Sequence, residues 1–248
     1  MALKHRIVTR RENVKKIKYL TKFCLALLLI LFAMEVFQFA ITVYAKINFI
    51  KIETDTLTED GANFLEWFDK YRENLLLVYF VGTIFIFGFF YLIWLSRANF
   101  NLFLLGDKKL KYSPDSAIWW WFVPVANFWV PFLVFKEIIT KSHQLAFGTV
   151  HNKKIKIFLF VLWILFLLSN TNNLISFRGE LGELARYVFI RTGELTELSI
   201  YNFFLNMSLL WYLFKILMSV IMFYLIYNVD KWQRKANQSK LISLQKSN

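Results

Sequence analysis

The chain has 248 residues, of which 57% are hydrophobic and 19% are charged, with 28 Phe and 9 Trp. Water-soluble domains carry about 45–50% apolar and about 25% charged residues, so the composition excludes an ordinary soluble domain. The 8 Gly and 3 Pro argue against a turn-rich β architecture, and a single Cys24 excludes a disulfide within one chain. The formal net charge is +13, and the position of each charge is more informative than the total.

Four apolar stretches are long enough to cross a membrane. A bilayer core of about 30 Å requires about 20 apolar residues in a helix, which satisfies its own backbone hydrogen bonds there. We therefore predict an all-α integral membrane protein with transmembrane helices at about 23–45, 74–95, 156–177 and 202–228. Residues 23–228 are expected to form a single helical membrane domain between a basic arm, 1–22, and a basic tail, 229–248. A cleaved signal peptide is the alternative interpretation of the first stretch. We favour an uncleaved span, because the stretch is longer than a typical h-region of about 7–15 residues.

The positive charges predict the orientation, because Lys and Arg accumulate on the cytoplasmic side of a membrane. With four spans, the segments on one side hold 22 basic and 5 acidic residues, and the loops on the other side hold 7 and 11. Both termini are therefore expected in the cytoplasm. A fifth apolar stretch, 117–135, would reverse this bias if it crossed. We expect it to re-enter on the cytoplasmic side or to lie along that surface.

The arm at 1–22 holds eight Lys and Arg residues and directly precedes a span. Nucleic acid is one partner for such a segment, but anionic lipid headgroups are simpler, at about 1 kcal/mol per basic residue near the surface. The bilayer and its anionic headgroups are thus the predicted partners, without nucleic acid. The His and Cys residues show no metal-ligand spacing, so neither a metal nor a cofactor is predicted.

Two charged residues, Glu35 and Lys215, lie inside predicted spans. Each is about 12–13 residues from the cytoplasmic end of its span, which is about 18–20 Å at the helical rise, so a pair is expected. Gln38 shares a helical face with Glu35, and Asn170 and Asn173 add polar groups in the third span. A structural ion pair is the simpler interpretation of this polar seam. A proton or solute path with Glu35 as the titrating group is the alternative.

A distinctive motif lies between the second and third spans. It contains Arg97-Ala98-Asn99-Phe100-Asn101-Leu102, then Ser113-Pro114, then the letters WWWFVPVANFWVP at 119–131, and then Lys136-Glu137. The series resembles the bacterial membrane family known as domain of unknown function 4328. The resemblance implies the bacterial inner (cytoplasmic) membrane as the location, and it implies no particular activity.

The motif predicts a Pro-broken elbow at 113–137. Ser113 followed by Pro114 suits the start of a helix. Pro124 and Pro131 each remove a backbone donor, so the helix is expected to break between them. Asn127 lies between the two prolines and is expected to bond the freed carbonyls.

Several other motif residues are expected to fix the elbow in place. Trp120 and Trp129, with their neighbouring Trp residues, suit the headgroup boundary of a membrane. Arg97 and Asn101 lie one helical turn apart and are expected to tie the second span to the elbow, with Glu137 as a partner of Arg97.

The sequence contains no nucleotide-binding glycine loop, catalytic triad or pair of catalytic carboxylates, so we do not expect an enzyme. The first functional interpretation is a non-catalytic membrane scaffold or accessory subunit that engages lipid, a membrane protein partner or further copies of itself. The alternative is a small oligomeric transporter or channel that uses the seam of Glu35 and Lys215.

Overall fold

The computed structural model describes residues 2–53, 56–107, 110–123, 126–149, 153–175 and 197–246. Within these ranges the regular structure is helical, without a strand, which confirms the predicted all-α class. The helices are α1 (Ala2–Glu53), α2 (Glu59–Val81), a π-helix (Gly82–Gly88), α3 (Phe89–Leu105), α4 (Ser116–Trp119), a 3-10 turn (Ala126–Phe128), α5 (Val130–Phe147), α6 (Lys153–Ile175) and α7 (Glu197–Lys246).

Within the described part of the chain, three helical segments are long and apolar enough to cross a membrane. They are Ile17–Lys51, Ile86–Leu105 and Leu205–Ser243, and α6 adds a shorter apolar stretch, Lys156–Leu168. The fold is thus that of a helical membrane protein, while a fourth crossing stays a prediction. The second segment ends later than the predicted 74–95, because α3 continues past the exposed Arg97 to Leu105.

The chain forms two compact units. Unit 1 consists of Met1–Leu29, Thr83–Trp163 and Ile221–Asn248, and unit 2 consists of Ile30–Gly82 and Ile164–Val220. The helices α1 and α7 therefore contribute to both units. The elbow belongs to unit 1, and Glu35 and Lys215 both belong to unit 2.

Aromatic side chains form much of the core of unit 1. The Tyr91 ring centroid lies 6.0 Å from that of Trp94 and 6.2 Å from that of Phe135 on α5. The Trp94 indole N–H donates a 3.0 Å hydrogen bond to Thr21 Oγ1 of α1. A buried indole N–H needs such a partner, so this bond fixes α3 against α1.

The predicted basic tail, 229–248, continues α7 as a helix to Lys246 and packs within unit 1. Val229, Trp232 and Ala236 are buried, and the basic side chains alternate with them along the helix. The predicted arm is likewise helical, because α1 begins at Ala2. Both segments had been predicted from charge alone, which does not reveal a buried face at helical spacing.

In unit 2, the start of α2 packs against the end of the α1 segment. Ala45, Phe49, Phe68 and Leu205 form a buried cluster, and the Tyr44 and Phe64 rings meet edge to face with their centroids 4.5 Å apart. Gly61 allows this approach, since a Cβ at that position would lie 2.8 Å from Asn48 Oδ1.

Candidate functional site

The entrance to the elbow is held by the Glu137 carboxylate of α5. Glu137 Oε1 accepts a 2.7 Å hydrogen bond from the Lys111 amide, and Oε2 accepts one of 3.2 Å from the Tyr112 amide. Asn99 of α3 donates from Nδ2 to the Tyr112 carbonyl at 3.0 Å. The backbone before the elbow is thus bonded to α3 and α5 at once, an arrangement that we call the Glu137 latch. A carboxylate with two amide donors is a strong acceptor.

The path of the elbow agrees in part with the sequence. Ser113 Oγ accepts a 3.1 Å bond from the Ser116 amide, which is the predicted N-terminal cap, with Pro114 in the following turn. The α4 helix ends at Trp119, five residues before Pro124, so the chain leaves the helix earlier than the predicted break between Pro124 and Pro131. Pro131, however, lies in the first turn of α5, where proline is favourable because its missing N–H has no helical partner there.

The tip of the elbow lies beside the membrane-spanning part of α3. The Trp121 ring meets Tyr91 edge to face at 5.8 Å, whereas the latch lies beside Asn99. Eight residues separate Tyr91 from Asn99 on α3, which corresponds to about 12 Å along the helix axis. On the far side of the tip, the Trp129 ring meets Trp163 of α6 at 5.1 Å. The elbow therefore descends from the latch into the apolar part of unit 1 and returns through α5.

Large apolar side chains of the elbow remain exposed. Trp119 is 69% exposed, Phe122 66%, Trp129 52% and Phe128 50%. Trp120 is half-buried. We call the four exposed rings the elbow ridge. These four rings lie within eleven residues of one another, so the elbow presents a continuous aromatic surface.

A second polar cluster, centred on Gln233, joins α3, α5 and α7. Gln233 is 1% exposed, and its Oε1 accepts a 3.2 Å bond from Asn101 Nδ2. Its Nε2 donates to the Ala98 carbonyl and to Ser142 Oγ, both at 3.0 Å. We call this the Gln233 cluster. Asn101 thus bonds α3 to α7, whereas the predicted bond from Asn101 to the elbow is not among the hydrogen bonds of the described residues.

The end of α3 is fixed by its own cap. Gly106 has φ +103°, and the amide of Asp107 bonds the Leu102 carbonyl at 3.1 Å, which gives a Schellman arrangement. Lys240 Nζ of α7 donates to the Leu105 carbonyl at 2.9 Å. A cation at this end also favours the negative end of the helix dipole.

The predicted pair of Arg97 with Glu137 is not among the ion pairs of the described residues. Arg97 is exposed, and Glu137 uses both carboxylate oxygens in the latch. The Asn127 side chain has a buried Oδ1 that accepts no hydrogen bond within the described residues. Its predicted bond to carbonyls freed at Pro124 is outside the description, since 124–125 are not described.

The polar seam of unit 2 brings Glu35 and α7 together. Ser219 Oγ donates a 2.8 Å hydrogen bond to Glu35 Oε2, and the Glu35 charge acts on Lys215, one turn earlier on α7. Lys215 Nζ lies 3.4 Å from the centroid of the Trp211 ring. Gln38 is buried on the same face of α1 as Glu35. The side chains of Asn170 and Asn173 lie outside the described residues.

A buried carboxylate, Asp230 of α7, lies where α1 and α7 meet in unit 1. Arg234 Nη2 lies 2.7 Å from Asp230 Oδ2. The Lys18 charge of α1 acts on the Asp230 carboxylate.

Sequence reasoning missed the residues that complete these clusters. Asn99 lies in the motif without a predicted role, and Ser142 and Gln233 lie outside it. The sequence does contain a pattern that indicates a polar face on α7, because Asp230, Gln233 and Asn237 recur at i, i+3 and i+7. Among the described residues, no group of three or more His, Cys, Asp or Glu is placed to hold a metal ion.

These features define a helical membrane protein with an aromatic elbow whose entrance is held by the Glu137 latch. The chain belongs to the family described as Domain of unknown function (DUF4328), which matches residues 65–231, about two thirds of the chain. The match covers the elbow, α3, α5 and most of the membrane-spanning α7 segment. No curated protein and no solved structure gives a significant match to the chain.

Proposed function

We propose that this protein is a non-catalytic membrane scaffold or accessory subunit that engages lipid and a membrane protein partner through the elbow ridge. The observation that carries the proposal is the combination of a fixed elbow and exposed rings. The Glu137 latch bonds the entrance of the elbow to α3 and α5, and the Gln233 cluster joins these two helices to α7. Trp119 and Phe122 remain more than 60% exposed. A rigid aromatic surface binds with little loss of conformational freedom.

The proposed setting is a bacterial inner membrane crossed four times, with both termini in the cytoplasm. The basic arm and tail support this orientation by the positive-inside rule. The elbow is then a re-entrant segment that dips from the cytoplasmic headgroups into the acyl region. Its 12 Å descent along α3 supports re-entry over a position on the membrane surface, because a surface segment would stay at one depth.

A transporter or channel is the second candidate, and the buried seam of Glu35 and Lys215 is the observation that favours it. Ionisable residues inside a membrane commonly mark ion pathways. The scaffold role has better support because the seam contains compensating groups: Glu35 accepts from Ser219, and Lys215 lies on the Trp211 ring beside the Glu35 charge. Such groups stabilise one another in a buried site without any transport.

The test is extraction of the protein in native membrane patches, followed by mass determination of the complex. We compare the wild type with Trp119→Ser/Phe122→Ser in the elbow ridge. The matched control is Phe37→Ser/Phe203→Ser, which removes two exposed rings from unit 2. We expect a partner of fixed stoichiometry that the ridge variant loses and the control retains.

Three outcomes decide between the candidates. Loss of the partner in the ridge variant alone supports the scaffold role. A lone homo-oligomer in every sample contradicts the role as accessory subunit. Proton or solute flux after reconstitution, abolished by Glu35→Gln while the protein stays folded, would favour the transporter instead.

A further inference from the structure

Basic side chains from the two ends of the chain meet at the junction of α1 and α7 in unit 1. Lys18 and Lys22 of α1 are exposed and lie one helical turn apart, and the Lys18 charge acts on Asp230 of α7. Arg234 pairs with the same carboxylate at 2.7 Å. Residues more than 200 positions apart in the sequence thus form one basic group, which we call the α1–α7 basic site.

The arrangement of charges leaves this site positive on its outer surface. Asp230 has a side chain only 6% exposed, whereas the Arg234 side chain is 38% exposed and both lysines are exposed. The buried carboxylate is paired with Arg234 and is acted on by Lys18, and Lys22 follows one turn further along α1, so the group holds three cations and one anion. The carboxylate also holds the Arg234 guanidinium in a fixed direction, so part of the ordering cost of an anion site is met before any anion binds.

The neighbouring residues are those of a membrane boundary. Phe23 follows Lys22 directly and is 45% exposed, and Tyr227 lies one turn before Lys231 on α7 and is 47% exposed. Both rings lie towards the apolar centre of their candidate spans, Ile17–Lys51 and Leu205–Ser243. Basic residues just outside exposed aromatic residues suit phosphate groups above acyl chains.

We infer that the α1–α7 basic site binds the phosphate of an anionic phospholipid, with Lys18, Lys22 and Arg234 as its ligands. The guanidinium of Arg234 donates two N–H groups to phosphate oxygens, and the two ammonium groups add charge and further donors. Phe23 and Tyr227 lie along the acyl chains. The inference requires that α1 and α7 cross the membrane, and it holds whether or not the protein acts as a scaffold.

The test measures lipid binding by native mass spectrometry in micelles of zwitterionic phosphatidylcholine, titrated with phosphatidylglycerol. The variant is Lys18→Gln/Lys22→Gln. The matched control is Lys111→Gln/Lys136→Gln, which removes two exposed lysines at the elbow. One lysine near an anionic surface corresponds to about a fivefold change in affinity, so the variant is expected to bind phosphatidylglycerol about 30-fold more weakly. The control is expected to change less than about threefold.

Further measurements distinguish a loss of charge from a loss of folding, and a lipid phosphate from a soluble phosphate. Lys18→Arg/Lys22→Arg keeps both charges and is expected to restore binding, and all variants must unfold at the wild-type detergent concentration. Soluble glycerophosphate is expected not to compete, because it lacks acyl chains. Competition by glycerophosphate at the affinity of the lipid would overturn the lipid assignment. Equal losses in the variant and the control would also overturn it, because binding would then follow net charge alone.

Discussion

Replacement of Gln233 by Leu tests the polar cluster that joins α3, α5 and α7. The substitution nearly preserves volume but removes three hydrogen bonds, to Asn101, Ala98 and Ser142. Buried bonds between helices in membranes average about 0.6 kcal/mol each, so the three together contribute about 2 kcal/mol. The buried partners cannot all turn to water, and the loss in the free energy of unfolding is therefore expected to be at least about 2 kcal/mol.

The assay is unfolding in mixed micelles with increasing dodecyl sulfate, followed by intrinsic fluorescence. Gln238→Leu is the matched control, because Gln238 is exposed on the same helix. It is expected to change the free energy of unfolding by less than about 0.5 kcal/mol. Asn101→Leu in the Gln233→Leu background is expected to cost less than it does alone, because the two residues share one bond. A Gln233→Leu protein as stable as the control would refute the role of this cluster.

Three further predictions concern other contacts. Glu137→Gln replaces one of two acceptors in the latch by an amide, and hydrogen exchange at 111–118 is expected to rise while Lys136→Gln leaves it unchanged. Glu35→Gln is expected to destabilise the protein by about 1–3 kcal/mol, and Glu35→Leu/Lys215→Leu to recover most of the loss in the same unfolding assay. Gly106→Ala forces a side chain into φ +103° and is expected to lower stability by about 1–2 kcal/mol, measured as a lower unfolding midpoint.

A different result would contradict each of these three predictions. Unchanged exchange at 111–118 in Glu137→Gln would mean that the latch does not hold the elbow. A double variant at Glu35 and Lys215 that is less stable than either single variant would rule out a mutually compensating pair. An unaltered midpoint for Gly106→Ala would show that the end of α3 tolerates other conformations.

The sequence predicted the class of fold because apolar runs of membrane length leave few alternatives to a helix. It also predicted the start of the elbow, since Ser113 and Pro114 act locally on the backbone next to them. The prediction of a helix break at Pro131 was wrong in detail, because α5 begins there. Proline has a fixed φ and lacks an N–H donor, and both features also suit the first turn of a helix.

The partners of the polar residues were harder to predict, because they depend on which helices become neighbours. Glu137 was paired with Arg97 on charge, whereas its carboxylate bonds two backbone amides, which no charge pattern reveals. Gln233 lies in a segment with five Lys and Arg residues, and that signal suggested a solvated tail. Its burial follows from the helical spacing of Asp230, Gln233 and Asn237, which charge counting overlooks.

The depth of the elbow tip in a bilayer tests the central claim most directly. Spin labels at Phe122→Cys and Lys111→Cys, each in a Cys24→Ala background, report accessibility to oxygen and to an aqueous nickel complex. The label at 122 is expected about 12 Å deeper than the label at 111 and accessible to oxygen, and the label at 111 is expected at the headgroups. Equal accessibility of both labels to the nickel complex would contradict a re-entrant elbow and the membrane role proposed for its ridge.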